Sequence, residues 1–203
     1  MVRVDGGVVV GVVGARGGVG VSTLAALVAS RASRRTATVL VDLDAGGAGI
    51  DVLLGLEEDA GARWPDLAHA RGDVDGRDVV ALLPRWGRVA VLSADRSRPG
   101  AVDAATSLDV VGALARASGC VVADLGRAGH PVMGLCDRVA LVAGRDLRSV
   151  AGALALREPL REAPVGLVVR GPAPGGLGTG ELVAALALPL LWAGRADRSL
   201  ARA

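Results

Sequence analysis

The chain contains no Lys, Phe, Tyr, Asn or Gln, and Ile50 is its only isoleucine. Most of these residues use AT-rich codons, so their joint absence points to a very GC-rich genome. Codon drift of that kind turns Lys into Arg and preserves charge. Cysteine is scarce too. Cys120 and Cys136 lie in apolar surroundings and read as core thiols, and neither sits at metal-ligand spacing. His69 and His130 are isolated. Strong net charge is also missing: the formal value is +2, and residues 137–203 hold 9 Arg against 6 acids without a dense run. A dedicated nucleic-acid site is therefore not expected. The longest apolar stretch, Leu182 to Ala193, has 12 residues and contains Pro189. A membrane-spanning helix needs about 20, so this stretch reads as a buried helix followed by a strand. The N-terminal apolar run is short and broken by glycines, which makes a poor signal peptide, and a cytoplasmic protein is expected.

What is present is a hydrophobic chain of 203 residues, 51% apolar, which excludes disorder and suits one domain spanning 1–203. Short Val- and Leu-rich runs recur at 8–13, 38–42, 89–93, 120–124, 138–143, 165–169 and 188–192. They do not alternate with polar residues, as expected for strands of a parallel sheet covered on both faces. Helical patterns lie between them at 22–35, 103–118, 146–158 and 179–187, with shorter pieces near 50–57 and 76–83. Residues 171–178 read as a turn-rich loop. The alternation predicts an α/β, doubly wound, mostly parallel sheet of seven or eight strands with helices on both faces.

Between the first strand and the first helix lies Gly14-Ala15-Arg16-Gly17-Gly18-Val19-Gly20-Val21-Ser22-Thr23. Strand, glycine loop and helix together make the context of a phosphate-binding loop. Glycines let backbone N–H groups converge on phosphate oxygens, and the helix N-terminus adds partial positive charge. Ser22 is placed to hold Mg²⁺. The residue before it should be a lysine reaching the β- and γ-phosphates, and it is Val21. Drift to Arg does not explain Val. Two other strands end in acids, Val39-Leu40-Val41-Asp42-Leu43-Asp44 and Val121-Val122-Ala123-Asp124. Ligands bind at the carboxyl ends of such sheets, where acids can orient Mg²⁺-bound waters or an attacking water.

Arg16-Gly17-Gly18-Val19-Gly20-Val21-Ser22-Thr23 resembles the deviant Walker A motif of the ParA/MinD ATPases. Asp42-Leu43-Asp44 resembles their Walker A′ motif and Asp124 their Walker B aspartate. Within that group the chain is most similar to actinobacterial CpaE-like proteins, TadZ and the septum-site-determining protein Ssd. Gly14-Ala15-Arg16-Gly17-Gly18, Arg63-Trp64-Pro65-Asp66-Leu67-Ala68, Val91-Leu92-Ser93, Val169-Arg170-Gly171-Pro172 and Leu188-Pro189-Leu190-Leu191 through Asp197-Arg198 carry that closer likeness. The resemblance implies ATP or ADP with Mg²⁺. Arg16, Gly17, Gly18, Val19, Gly20, Val21, Ser22 and Thr23 would line the nucleotide, and Arg170 would stand where relatives read the adenine edge. Ser22, Asp42 and Asp124 would surround the metal, partly through water. Asp44 would position water, and Arg16 would replace a signature lysine that reaches across a nucleotide-sandwiched dimer. CpaE-type relatives commonly carry an N-terminal receiver-like domain, and none is expected in this chain.

Simpler readings stand beside these. The loop could be an empty glycine turn, the acids plain strand ends or helix caps, and Trp64 a packing residue. His130 reads as structural or solvated. The arginines of 145–161, with Asp146, Glu158 and Glu162, read as a solvated helical face. The expected function is a nucleotide-binding positioning scaffold for a Tad-type pilus or secretion machine or a septum site, with little or no hydrolysis and a nucleotide-dependent homodimer. Two alternatives remain: a slow ParA-type ATPase for partition or localisation, and a pseudo-ATPase interaction module that binds no nucleotide.

Overall fold

The computed structural model describes residues 6–44, 49–72, 74–100, 102–127, 130–161, 163–171 and 176–195. Strand β1 (Val8–Gly14) leads into helix α1 (Val21–Ala32), and β2 (Thr38–Asp42) into a short α2 (Ile50–Leu54). A 3₁₀ turn (Trp64–Leu67), helix α3 (Gly76–Leu82) and a hairpin of β3 (Arg85–Trp86) and β4 (Val89–Leu92) follow. Next come α4 (Ala104–Ala117), β5 (Cys120–Asp124), a second 3₁₀ turn (Pro131–Leu135), β6 (Arg138–Gly144) and α5 (Leu147–Ala155). The last elements are β7 (Val165–Gly171), α6 (Thr179–Leu186) and β8 (Leu190–Arg195).

These strands form one eight-stranded sheet in the order β3-β4-β2-β5-β1-β6-β7-β8. All pairings are parallel except β3 with β4. The doubly wound α/β expectation is met. β1 lies between β5 and β6, so the chain winds to one side of β1 early and to the other side late. Such a reversal opens a crevice at the strand C-termini beside β1.

The aliphatic runs fail to alternate because each face of the sheet has its own core. Val9, Val13, Val39, Val41, Val121, Ala123 and Leu141 join one cluster with Trp64, Leu114 and Leu182. Val12, Leu40, Val122 and Val142 join the other, against Ala25, Ala26 and Ala29 of α1. Those alanines let α1 lie close to the strands. Without Phe or Tyr, Leu and Val supply most of the buried volume. Leu40, Leu92, Leu114, Leu141, Leu167 and Leu182 are fully buried, and truncating one of them to Ala typically costs about 2–5 kcal/mol.

Helices α1 and α5 end at Ala32 and Ala155, each three residues short of expectation, and three further departures have a visible cause. β3 is an added strand: the Arg85–Trp86 pair folds back on Val89 and Ala90 through a turn at Gly87, whose φ is 58°. Helix α2 stops at Gly55 (φ 69°), short of residue 57. The final strand starts two residues late, because Pro189 has no N–H to donate; its carbonyl instead accepts the Leu167 N–H at 2.7 Å. The loop expected over 171–178 and the terminal Asp197-Arg198 lie partly or wholly outside the described residues. Cys120 and Cys136 are buried free thiols. No described helix is long and apolar enough to cross a membrane.

Candidate functional site

The loop after β1 is shaped by positive-φ glycines. Gly18 has φ 74° and Gly20 φ 88°, and Gly20 is the residue from which α1 starts. A side chain at either position would be strained. The loop is anchored at its base, where the Gly14 N–H donates to the Gly126 carbonyl at 2.8 Å and the Ala15 N–H to the Val142 carbonyl at 2.9 Å. Above these anchors, none of the N–H groups of Gly17 through Thr23 has an acceptor among the described residues. Part of this set is the unpaired first turn of α1. Converging free N–H groups are what an anion requires.

The loop borders a cavity of about 510 Å³, lined by Arg16, Gly17, Gly18, Gly20, Val21, Ser22 and Thr23 on one side. Asp42, Asp44, Gly126 and Arg127 line it as well, with Ile50, Val52 and Leu53 of α2 forming an apolar wall. That volume falls in the range of small-molecule sites. The sheet register places the acids: Asp42 and Asp124 are cross-strand partners on β2 and β5, and Asp124 is level with Val12 of β1. Asp44 follows two residues later, its side chain packed over Gly126.

Asp42 is buried, with its oxygens accepting the Asp44 N–H at 3.0 Å and the Ile50 N–H at 2.9 Å. Burial pushes its carboxyl up to about 7. The charges of Asp124 and Asp44 push the same way, and the two N–H donors oppose them. Asp124 is also raised, mainly by burial; the neighbouring Ser22 hydroxyl and the Gly126 N–H favour its charged form. Asp124 Oδ1 accepts the Gly126 N–H at 3.0 Å, while Oδ2 is buried without a partner among the described residues. An unpartnered buried carboxylate oxygen beside Ser22, under a loop of free N–H groups, fits a phosphate carrying Mg²⁺. The donor chemistry agrees, since carboxylate, hydroxyl and water suit that ion.

The remaining expected residues lie around this centre. Val21 opens α1, and its side chain turns back over Gly14 and packs with the cluster containing Val12 and Ala25. Val19 is buried and does not line the cavity, unlike its neighbours in the loop. Arg16 is held by Asp146. Its Nη2 donates to Oδ2 at 2.9 Å and its Nε lies 3.2–3.3 Å from the same carboxylate, while Nη1 donates to the Gly17 carbonyl at 3.0 Å. Arg170 Nη1 donates to the Val19 carbonyl at 2.6 Å, and its guanidinium lies against Gly20. It braces the loop from outside the cavity lining.

Two participants do not stand out in the sequence. Asp146 belongs to no solvated helical face; it caps α5 by accepting the Ser149 N–H at 2.8 Å and pairs with Arg16. The Arg16 guanidinium beside it holds its carboxyl below the ordinary range. The available signal is an acid two residues past the end of a strand, as with Asp44. Arg127 lines the cavity three residues after Asp124, where only the aspartate draws attention. Trp64 is buried, and its indole N–H donates to the Asp42 carbonyl at 2.6 Å, which ties the 3₁₀ turn to the end of β2. His130 caps the second 3₁₀ turn through Nδ1, which accepts the Val132 N–H at 3.2 Å.

No protein-family model matches the chain. Two uncharacterized proteins of Mycobacterium tuberculosis, from strains CDC 1551 and H37Rv, are each 41% identical to it over 207 residues. The matched region is 98% of this chain and 58% of theirs, so the chain spans little more than half the length of these relatives. Among solved structures, a ParA family ATPase from Chlorobium tepidum superposes with a TM-score of 0.81 at 17% identity, over 96% of this chain and 86% of its own. The septum site-determining protein MinD from Pyrococcus horikoshii, complexed with Mg-ADP, gives 0.77 at 18% identity, over 96% and 84%. The MinC:MinD cell division protein complex of Aquifex aeolicus gives 0.77 at 17%, over 96% and 84%. The chain therefore has the P-loop NTPase fold of the ParA/MinD ATPases.

Proposed function

We propose that the chain is a nucleotide-binding positioning scaffold of the ParA/MinD kind, CpaE- or TadZ-like, with little or no ATP hydrolysis. Its ligand is ATP or ADP with Mg²⁺. Its setting is the cytoplasm, where it helps place a Tad-type pilus or secretion machine or a septum site. The observation that carries this reading is Val21: beside a loop whose N–H groups have no acceptor among the described residues stands an apolar side chain turned onto Gly14 and the core.

In this reading the free N–H groups of Gly17 to Thr23 bind phosphate oxygens. Ser22 Oγ and the carboxylates of Asp42 and Asp124 hold the metal, partly through water. When bound, Mg²⁺ supplies positive charge shared by neighbouring phosphate oxygens. Ground-state binding needs no more than this. Phosphoryl transfer also needs cations that meet charge developing on those oxygens, and losing one such group costs on the order of a hundredfold or more in rate. Nucleotide thus sets a docking or dimer state. Arg16, at the mouth of the cavity, is the residue to exchange Asp146 for a facing subunit.

A second reading, a slow ATPase, is favoured by one observation: Asp44 lines the same cavity, and its carboxylate accepts no hydrogen bond from any described residue. Titrating purified protein with ATP, ADP and GTP in the presence of Mg²⁺, followed by turnover assays, separates the readings. Binding without turnover is expected. Robust hydrolysis abolished by Asp44→Ala would establish the ATPase, and a folded protein that binds none of the three would be an interaction module only. Sedimentation of wild type and Arg16→Ala with and without ATP checks the dimer. A monomer in every condition would remove it.

A further inference from the structure

We propose that Arg127, from the loop after β5, supplies within the same chain the phosphate cation that the glycine loop lacks. This rests on the nucleotide reading above and names the residue that makes the site prefer a polyphosphate.

The placement of Arg127 follows from Gly126. That residue has φ 63°, a conformation that favours glycine. A Cβ there would stand 2.9 Å from Asp44 Cβ and 2.7 Å from its Cγ, so no larger residue fits beneath Asp44. The Gly126 carbonyl holds the Gly14 N–H at 2.8 Å. The turn after β5 is thereby fastened to the base of the glycine loop, and the next side chain is delivered across it. Arg127 Nη1 and Cδ come within 3.5 and 3.6 Å of where a Cβ on Gly17 would stand. The guanidinium lies over the loop, on the cavity side, at the residues whose N–H groups are free.

Charge accounting singles it out. The described cavity lining carries two cations, Arg16 and Arg127, against Asp42 and Asp44, with Asp124 buried behind them. Arg16 is committed to Asp146 through both Nε and Nη2. Val21 contributes none. Arg127 is exposed and forms no ion pair with any described residue. A planar guanidinium with five donors suits phosphate oxygens and can bridge two of them in a fixed fork, where an ammonium acts as a point charge. Behind that lining, Asp124 Oδ2 is buried with no hydrogen-bond partner among the described residues, a separate sign of a ligand at this end of the sheet.

The test measures affinities for Mg·ATP, Mg·ADP and AMP by isothermal titration for wild type, Arg127→Ala, Arg127→Lys and Arg16→Ala. Arg127→Ala should weaken Mg·ATP by on the order of tenfold or more, the worth of one hydrogen bond between charged groups. The loss should shrink for Mg·ADP and vanish for AMP. Arg127→Lys should recover part of it, and Arg16→Ala should change the monomer's affinity less than Arg127→Ala does. Thermal unfolding without ligand should be unchanged by Arg127→Ala, because the side chain is exposed. Equal Mg·ATP affinity in wild type and Arg127→Ala would overturn the proposal while leaving nucleotide binding intact. So would an equal loss for AMP. A folded wild type that binds none of the three would overturn both.

Discussion

Raising the pH of the metal-free protein from 5 to 8 should destabilise it, and Asp42 should be the main cause. Its carboxyl titrates at about 7 in the folded state against 3.8 when exposed. A folded value above the unfolded one means that the native protein holds the proton longer. The associated stability is complete below pH 3.8 and is lost as pH rises toward 7. The gap between the two values is worth about 4 kcal/mol in all, of which about 2–3 kcal/mol falls between pH 5 and 8. That is a large part of a domain's typical stability of about 5–15 kcal/mol. Asp124 is raised by burial too and acts in the same direction. His130 opposes them: burial lowers its value, so its contribution grows as pH rises through the ordinary histidine range. The depressed carboxylates of Asp66, Asp103 and Asp146 matter only in acid.

Urea unfolding in EDTA at several pH values, on wild type and Asp42→Asn, isolates the effect because His130 cancels between the two proteins. Asn keeps one oxygen for the N–H groups of Ile50 and Asp44 and turns an amide toward the other. The variant should therefore carry a fixed penalty of about 1–3 kcal/mol. The diagnostic is the slope: wild type should fall steeply with pH and Asp42→Asn much less. Removing Asp42 also relieves Asp124, which flattens the variant further. Parallel lines for the two proteins would refute the assignment of the buried, raised carboxyl to Asp42.

Two further outcomes follow from packing around the same site. Val21→Lys should tighten Mg·ATP binding by roughly tenfold or more, the range of a hydrogen bond to a charged group, while lowering unliganded stability by about 1 kcal/mol as apolar packing over Gly14 is lost. Calorimetric titration and urea unfolding read the two effects, and unchanged affinity would show that the missing charge is not what limits binding. Trp64→Phe should cost about 1–3 kcal/mol, because the Asp42 carbonyl loses its buried indole donor. Equilibrium unfolding measures it, and wild-type stability in the variant would remove Trp64 as the tie between the 3₁₀ turn and β2.

What the sequence made legible was local and periodic. Each aliphatic run carried its burial on both faces in its own composition, so the β1, β2, β5, β6 and β7 strands could be read one by one. Acids at strand ends next to a glycine loop could be read the same way, because parallel strands bring their C-termini to one edge. β3 could not be: two residues have no period, and Arg85–Trp86 pairs only because Gly87 turns the chain back. The shortened α2 turns on Gly55 adopting a left-handed conformation, which glycine permits but does not require.

The partners of the site's arginines were illegible for a different reason. Arg16 and Asp146 are 130 positions apart, joined because β6 lies beside β1 and Asp146 must cap α5. Arg170 reaches the Val19 carbonyl across 151 positions. Local pattern shows a cation in the loop but not whether that cation is already spent on a carboxylate. This distinction decides what charge the loop can offer a ligand. Position 16 carries a cation, whereas position 21, where the reading proposed above expects a phosphate-binding lysine, carries an apolar side chain. The fold commits Arg16 to Asp146 and turns Arg127 over Gly17. The cavity-lining cation without a carboxylate partner among the described residues thus stands next to Gly126 and Asp44, and not on the first turn of α1. On the reading proposed above, a ligand that engages Arg127 also meets Asp44, because Arg127 directly follows the glycine over which Asp44 packs.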